Sequence, residues 1–224
     1  MVIFANDTGY SGKSSLVLTI FRLLELTSGV TLIDNIDIPK LPLNLIRSKI
    51  IAIPQESFIL NDSVRYNIDP AGQISDEEMI KALETTDLWG YTSAHSGLNS
   101  TFETISLSHG QRQLFALARA ILRNCKIVVL DEAMSSVDHE SGRLMQSIID
   151  KEFQDCTVIT ITHRKDQISA FDKAVVMEQG CVKYYGSLDK LFHLYLRFIF
   201  RPGVSEISAL PTIYKGGKST QKCE

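Results

Sequence analysis

The sequence predicts an α/β fold with a mostly parallel sheet. Four short apolar runs have the length and the β-branched content of buried parallel strands, and they occupy residues 2–5, 127–130, 157–161 and 174–177. Segments in which apolar residues recur with a helical period separate these runs. Strands that alternate with helices in this way are typical of a sheet covered by helices on both of its faces.

The first helix is predicted directly after the first strand, over residues 13–26. Its apolar period places four side chains on one face, those of Leu16, Ile20, Leu23 and Leu24. The same period predicts two later helices, over residues 111–122 and 140–153.

The segment between the first helix and the later ones has a different pattern of apolar residues and turn signals. Residues 30–38 predict a hairpin, because Asp34 and Asn35 separate two apolar runs and both residue types tolerate the left-handed backbone of tight turns. Ser75 followed by Glu78 is a capping-box pattern, which predicts that a helix begins there and continues to about residue 85.

The composition excludes several functional classes. Of 224 residues, 44% are hydrophobic and 22% are charged, which is ordinary for a globular protein. The formal net charge of −3 gives no electrostatic footprint for nucleic acid, so no nucleic-acid partner is expected. No run reaches the roughly 18 apolar residues of a membrane span. From residue 201 onward Gly, Pro, Ser and Lys accumulate without periodicity, and residues 192–224 are expected to form a poorly ordered tail.

Residues 7–15 have the character of a loop that binds phosphate. They follow a predicted strand and open a predicted helix, which is the context that such a loop requires. Backbone N–H groups at a helix N-terminus attract phosphate oxygens, and small residues let the backbone approach closely. Lys13 adds a cation for the β and γ oxygens, and the Ser14 hydroxyl can ligate Mg²⁺. The predicted phosphate contacts are Thr8, Gly9, Ser11, Gly12, Lys13, Ser14 and Ser15.

This loop departs from the common phosphate-loop pattern. Asp7 stands where the first glycine is expected, and Tyr10 replaces the inner glycine, with Gly9 one place early. Either the loop carries an insertion after Gly9 or it has lost two glycines. A carboxylate near phosphates lowers affinity, and a Cβ where a positive φ is needed adds strain. From these residues alone, a phosphate loop and an ordinary helix start both stay open.

The apolar run at 127–130 ends in two acidic residues, Asp131 and Glu132. A parallel strand delivers such residues to the carboxyl edge of its sheet, where ligands bind. There Asp131 can hold Mg²⁺ through water, and Glu132 can orient and polarise a water that attacks the γ-phosphate. The alternative is an acid pair that is merely exposed at the end of a strand.

A second motif, Leu-Ser-His-Gly-Gln-Arg-Gln, occupies residues 107–113. Ser108 is predicted to cap the helix that follows, and Gly110 permits close approach to an anion. The motif, together with the acid pair that comes after its helix, resembles the signature of ATP-binding-cassette (ABC) ATPases. His109 stands where the commoner form has glycine.

The resemblance implies roles for further residues. The start of the signature helix would face the γ-phosphate of ATP held by the other cassette of a pair, through Ser108, Gly110 and Gln111. Gln55, after a strand at 50–53, matches the residue that touches Mg²⁺ and the attacking water and that contacts the membrane domains. Asp138 ends a segment that resembles the D-loop, which crosses the interface between cassettes. His163 matches the switch histidine that contacts the γ-phosphate.

The resemblance covers about residues 2–191. We expect residues 1–191 to form one ABC ATPase domain with a P-loop NTPase core and an inserted helical subdomain at about 56–122. Four segments, at residues 21–25, 53–55, 67–70 and 107–119, are most similar to the C-terminal cassette of multidrug-resistance-associated (C-subfamily) exporters, in which one composite site is typically competent. An intact Glu132 would make this cassette the catalytic contributor. The resemblance implies ATP and Mg²⁺ as cofactors, and as partners a second nucleotide-binding domain, paired head-to-tail, and the transmembrane domains of an exporter, on the cytosolic face of a membrane.

Two departures keep alternatives open. Family cassettes begin with two further strands and an aromatic residue that stacks on adenine, so we expect the N-terminal antiparallel β part to be truncated. Beyond about residue 192 the sequence no longer resembles the family, and both ends lead us to expect a fragment or an imperfect gene model. Together with Asp7 and Tyr10, this leaves a degenerate cassette that binds nucleotide weakly and only regulates a partner. A DNA-maintenance ATPase shares the signature and the acid pair, but it fits less well because residues 14–107 contain no coiled-coil heptads.

Overall fold

A computed structural model describes three parts of the chain, residues 2–5, 11–162 and 171–191. The chain folds into two compact units. The split unit contains residues 1–40 and 159–224, and the central unit contains residues 41–158. The range predicted for the helical subdomain falls inside the central unit, and the predicted tail at 192–224 lies outside the described residues.

The secondary structure is of the α/β class, as predicted. The strands are β1 Val2–Ala5, β2 Leu32–Ile33, β3 Ile36–Asp37, β4 Ile50–Ile53, β5 Ile127–Asp131, β6 Thr157–Ile161, β7 Lys173–Glu178 and β8 Cys181–Ser187. The α-helices are α1 Lys13–Ile20, α2 Leu43–Lys49, α3 Val64–Ile68, α4 Asp76–Thr85, α5 Trp89–Ser93, α6 His109–Leu122 and α7 His139–Glu152. The predicted strands at 2–5, 50–53 and 157–161 are therefore confirmed with the same bounds.

In the split unit, β1 is paired on both of its edges. It runs parallel to β6 and to β7, so that Val2 lies opposite both Thr160 and Ala174. Strand β8 returns antiparallel to β7. The turn between them contains Gln179 and Gly180 with φ angles of 49° and 76°, the left-handed pair that a two-residue hairpin requires.

Helix α1 ends earlier than its apolar pattern predicts. Arg22 adopts the left-handed conformation, with a φ of 50°. The Leu23 N–H donates to the Leu18 carbonyl at 2.9 Å and the Arg22 N–H donates to the Thr19 carbonyl at 3.1 Å, which is the pattern of a Schellman C-terminus. The prediction that Leu23 and Leu24 continue a buried helical face is wrong, because this cap turns the chain and leaves the two side chains 58% and 43% exposed.

The predicted hairpin at residues 30–38 is confirmed. Strands β2 and β3 pair antiparallel, with Ile33 opposite Ile36. Asp34 and Asn35 form the turn with φ angles of 50° and 62°, as a type I′ turn requires.

In the central unit, β4 and β5 form a parallel pair. Ile50 lies opposite Ile127 and Ile53 lies opposite Leu130. Because the two strands run in the same direction, their carboxyl ends lie side by side. The residues that follow β4 and those that end β5 therefore leave the pair at the same edge.

The core of the central unit lies among α4, α6 and α7, and α6 also packs on β4. Fully buried side chains from these helices include Met79, Leu83, Phe115, Leu117 and Met145. The predicted helix start at Ser75 is confirmed as a capping box, since the Glu78 N–H donates to the Ser75 hydroxyl at 3.3 Å and the Ser75 N–H donates to the Glu78 carboxylate at 3.1 Å. Within residues 11–162 and 171–191, no helix is both long enough and apolar enough to cross a bilayer.

Candidate functional site

The start of α1 is shaped by a glycine that no other residue could replace without strain. Gly12 has a φ of 86°, and a Cβ at this position would lie 3.1 Å from the Gly180 Cα and 3.3 Å from the Met177 Cε. The Gly180 N–H donates to the Ser11 carbonyl at 3.2 Å, which draws the two backbone segments together. The turn between β7 and β8 thus supports the residue that opens the helix.

The next residues place polar groups at the helix N-terminus. The first intrahelical hydrogen bond of α1 runs from the Leu16 N–H to the Gly12 carbonyl at 3.0 Å, so the amides of Ser14 and Ser15 precede it. Such amides and the helix dipole attract anions. The Lys13 side chain belongs to this end of the helix and is buried, with 7% exposure. Thr8, Gly9, Asp7 and Tyr10 lie outside the described residues, and their predicted roles stay predictions.

The acid pair occupies the edge where β4 and β5 end. Asp131 is the last residue of β5 and Gln55 follows β4 closely, so the structure brings both positions to one edge of the central unit. Asp131 and Glu132 are half-buried, and the Gln55 side chain is exposed. Carboxylate and amide oxygens at such an edge form a donor set that suits a hard cation such as Mg²⁺.

Glu132 has a backbone conformation that sequence reasoning did not predict. Its φ is 51°, in the left-handed region that residues other than glycine rarely enter. The Ser135 N–H donates to the Glu132 carbonyl at 2.9 Å, and the Ser135 hydroxyl donates to the same oxygen at 2.7 Å. These two bonds hold the turn. The sequence feature that could have predicted this turn is the serine three residues after Glu132, because a serine side chain often closes a turn by a hydrogen bond to the backbone.

The signature helix α6 begins with a capping box. The Gln111 N–H donates to the Ser108 hydroxyl at 3.2 Å, and the Ser108 N–H donates to the Gln111 side-chain oxygen at 2.9 Å. The prediction that Ser108 caps this helix is confirmed. Both side chains therefore have a local structural role.

Gly110 and Asp138 lie in contact. A Cβ on Gly110 would meet the Ser141 Oγ at 2.8 Å and the Asp138 Oδ2 at 3.0 Å, so close packing on α7 is a sufficient reason for the glycine. Asp138 caps α7, because its carboxylate accepts from the N–H groups of Glu140 at 3.1 Å and Ser141 at 2.9 Å. The Ser141 backbone and side chain, and then the Glu140 N–H, lower the pKa of Asp138. The signature and the D-loop segment are thus neighbours within the central unit.

Sequence reasoning also missed Gln113, which lies on the buried face of α6 and is 0% exposed. Its side chain forms hydrogen bonds with the loop that carries Gln55. The available signal was a glutamine at the position on α6 where the helical period demands an apolar residue. His163 lies outside the described residues, and its role remains a prediction.

An α/β fold in which a strand leads to a glycine-opened helix with Lys13 in its first turn belongs to the P-loop NTPase class. A family model described as "ABC transporter" matches residues 8–135, which is more than half of the chain. The chain therefore belongs to the ABC transporter family, and the matched region is its ATP-binding domain.

Relatives from fungi and mammals agree with this assignment. An "ABC-type transporter" of Gibberella zeae is 41% identical over 181 residues, which cover 81% of this chain. "ATP-binding cassette sub-family C member 2" of Rattus norvegicus is 45% identical over 184 residues, again 81% of this chain, and the Homo sapiens protein of that name is 42% identical over 193 residues, or 85%. The similarity to C-subfamily cassettes is thereby confirmed. The chain spans 12% of the length of each of these relatives.

Proposed function

We propose that this chain is a nucleotide-binding domain that binds ATP with Mg²⁺, pairs head-to-tail with a second cassette and hydrolyses ATP to power export across a membrane. The transmembrane domains of the exporter would be supplied outside these residues, and the chain would work on the cytosolic face. The resemblance of the motifs to those of C-subfamily exporters supports the export direction, and the relatives named as sub-family C support the subfamily. The C-terminal cassette is the proposed position within such a transporter.

The phosphates of ATP would be held at the start of α1. The Lys13 ammonium neutralises charge on the β and γ oxygens, and the N–H groups of residues 13–15 donate to phosphate oxygens. The absence of a Cβ at Gly12 and its left-handed φ of 86° support this assignment, because only a glycine lets the backbone turn into the helix at this point. Thr8, Gly9, Ser11, Ser14 and Ser15 complete the proposed set.

Ser14, Gln55 and Asp131 would hold Mg²⁺, which supplies neutralisation of the phosphate charge when it is bound. The hydroxyl, amide and carboxylate oxygens of these residues are the hard donors that this cation prefers. The side-by-side carboxyl ends of β4 and β5 support the pairing of Gln55 with Asp131.

Glu132 would be the general base. Its carboxylate accepts a proton from a water positioned for in-line attack on the γ-phosphate, and His163 contacts that phosphate group. The place of Glu132 directly after β5, at the edge where β4 and β5 both end, is the single observation that best supports this role, since ligands bind at the carboxyl ends of parallel strands.

The N-terminus of α6 would serve the other cassette. Ser108, Gly110 and Gln111 face the γ-phosphate that the partner cassette holds, and Asp138 lies at the same interface. The contact between Gly110 and the Asp138–Ser141 cap supports a shared surface formed by the two segments.

Replacing Glu132 with glutamine tests this function. Glu132→Gln keeps the shape and hydrogen-bonding capacity of the side chain but removes the base, so ATP should still bind, turnover should disappear, and an ATP-bound pair of cassettes should accumulate. Phosphate release and the oligomeric state with ATP measure the two effects. Glu84→Gln, at an exposed position on α4, is the matched control and should behave as the wild type. Undiminished hydrolysis by Glu132→Gln would remove the catalytic assignment.

A further inference from the structure

Gln113 is a fully buried polar side chain in the middle of the apolar face of α6. Its exposure is 0%, and its neighbours on the same face, Leu114 and Leu117, belong to the core of the central unit. Burial of an amide without hydrogen-bond partners is costly, so an apolar residue of the same size is the expected choice at this position. A glutamine here requires a specific reason.

The reason is the loop that follows β4. The Gln113 amide nitrogen donates to the Pro54 carbonyl at 3.1 Å and to the Gln55 carbonyl at 2.5 Å. Its oxygen accepts from the Ser57 hydroxyl at 3.0 Å. Both amide hydrogens and the carbonyl oxygen of one side chain are thus used on three residues of a single loop.

These hydrogen bonds lie just beyond the point where the pairing of β4 with β5 ends. Strand β4 pairs with β5 only as far as Ile53, so the carbonyls of Pro54 and Gln55 lie beyond the strand ladder. A side chain from α6 supplies the donors that a neighbouring strand would otherwise provide. The backbone of Gln55 is consequently fixed by α6, while its side chain stays exposed.

A second contact holds the same loop further along. The Arg119 guanidinium donates to the Phe58 carbonyl at 3.0 Å. Arg119 is half-buried, and burial, with a smaller contribution from Arg123, lowers the pKa of its guanidinium. Helix α6 therefore contacts the loop at residues 54–58 from two of its turns.

We propose that Gln113 is a positioning residue, which sets the place of Gln55 by holding the loop at residues 54–57 on the signature helix. This inference rests on the proposed function, in which Gln55 holds Mg²⁺ in one ATP site and Ser108, at the N-terminus of the same helix, serves the other. Gln113 lies five positions after Ser108, a rise of about 7.5 Å along the helix. Through Gln113, a displacement of the signature helix is passed to the Gln55 backbone, and the two ATP sites share one rigid segment.

The first test needs no nucleotide. Gln113→Met conserves the length and volume of the side chain but removes all three hydrogen bonds, so amides in residues 55–60 should exchange hydrogen about tenfold faster, as expected when a local opening becomes easier. Gln146→Met is the matched control, because Gln146 also donates a side-chain hydrogen bond, to Asp150 at 2.8 Å on α7, but does not contact this loop. Ser57→Ala, which removes one of the three bonds from the loop side, should give a smaller increase and remains informative if Gln113→Met does not fold. Unchanged exchange in both Gln113→Met and Ser57→Ala would overturn the proposal.

The second test asks whether Gln113 acts through Gln55. In Gln113→Met, the Mg²⁺ concentration for half-maximal ATP hydrolysis should rise about tenfold, and the same substitution in a Gln55→Ala background should add no further increase, as expected for two residues in one pathway. If Gln113→Met raises this Mg²⁺ concentration by the same factor with and without Gln55→Ala, the role of Gln113 is merely structural and the proposal is overturned. If the wild-type chain hydrolyses ATP in a Glu132-dependent manner but Gln113→Met leaves its Mg²⁺ dependence unchanged, this inference alone fails. If hydrolysis does not depend on Glu132, the proposed function itself fails, whatever the exchange experiment gives.

Discussion

Glu132 combines a left-handed backbone with a half-buried carboxylate directly after β5. A left-handed backbone costs an L residue about 1–2 kcal/mol, and the structure offsets this with two hydrogen bonds from Ser135 to the Glu132 carbonyl. The acidic side chain is thereby presented by a turn rather than by the strand itself. In an extended conformation the next residue after Asp131 would point to the opposite face of the strand.

Gly110 provides a prediction at the same scale. Gly110→Ala places a Cβ 2.8 Å from the Ser141 Oγ and 3.0 Å from both the Asp138 Oδ2 and the Ser141 Cβ, so α6 and α7 must separate slightly. We expect a loss of about 1–3 kcal/mol in the free energy of unfolding. Urea denaturation measures this loss.

Gly142→Ala is the matched control, because a Cβ there meets nothing within 4 Å and the position is helical. This variant should be more stable than the wild type by about 0.5–1 kcal/mol. Equal stability of the two alanine variants would contradict the packing explanation for Gly110.

At the scale of elements, α4 and α6 begin with the same capping box, at Ser75 and at Ser108. Loss of such a cap costs about 1 kcal/mol, so Ser75→Ala and Ser108→Ala should lower the thermal stability by similar amounts. Only Ser108→Ala should also lower ATP turnover in the paired cassette, because α4 has no proposed role with nucleotide. Calorimetry and a hydrolysis assay on both variants compare the two effects. A similar loss of turnover in Ser75→Ala would mean that Ser108 acts through stability alone.

The helix and strand signals that are local in sequence were predictable. Asp34 and Asn35 form the expected turn, and Ser75 with Glu78 forms the expected cap, since each pattern is satisfied within a few residues of backbone. The end of α1 was not predicted, because Leu23 and Leu24 continue the apolar period while the Schellman cap at Arg22 turns the chain away. The role of Gln113 was equally hidden, since its partner Gln55 lies 58 residues away in sequence.

At the scale of the whole molecule, acid should destabilise the fold through carboxylates that are hydrogen-bonded in the native state. The Ile74 N–H, followed by those of Gln73, Ala71 and Gly72, lowers the pKa of Asp69. The pKa of Asp76 is also lowered, chiefly by its hydrogen bond to Arg65. For a group whose folded pKa lies below its unfolded value, the stabilisation is complete above the unfolded pKa, about 3.9 for Asp, and is lost as pH falls through the folded pKa.

We therefore expect that these two groups leave the urea midpoint unchanged between about pH 7 and pH 5 and lower it below about pH 4. Asp69→Asn should make the acid-induced decrease shallower, because its carboxylate no longer titrates. Urea titrations across this range on the wild type and Asp69→Asn measure the difference. An identical acid slope in both proteins would exclude Asp69 as a source of acid sensitivity.

The parallel pairing of β4 with β5 has a consequence for how this protein can change in evolution. Because Ile53 lies opposite Leu130, the segment between β4 and β5, which contains α3 to α6, begins and ends at the same place in the structure. Together with the strand pair, this segment forms a closed ring. The entropy cost of closing such a ring grows only slowly, by about 0.6 kcal/mol for each doubling of its length. Insertions or deletions inside the ring, such as in the segment between α4 and α6, can therefore accumulate without moving Asp131 relative to β4. The helical part can diversify to fit different partners while the edge that carries the acid pair keeps its geometry.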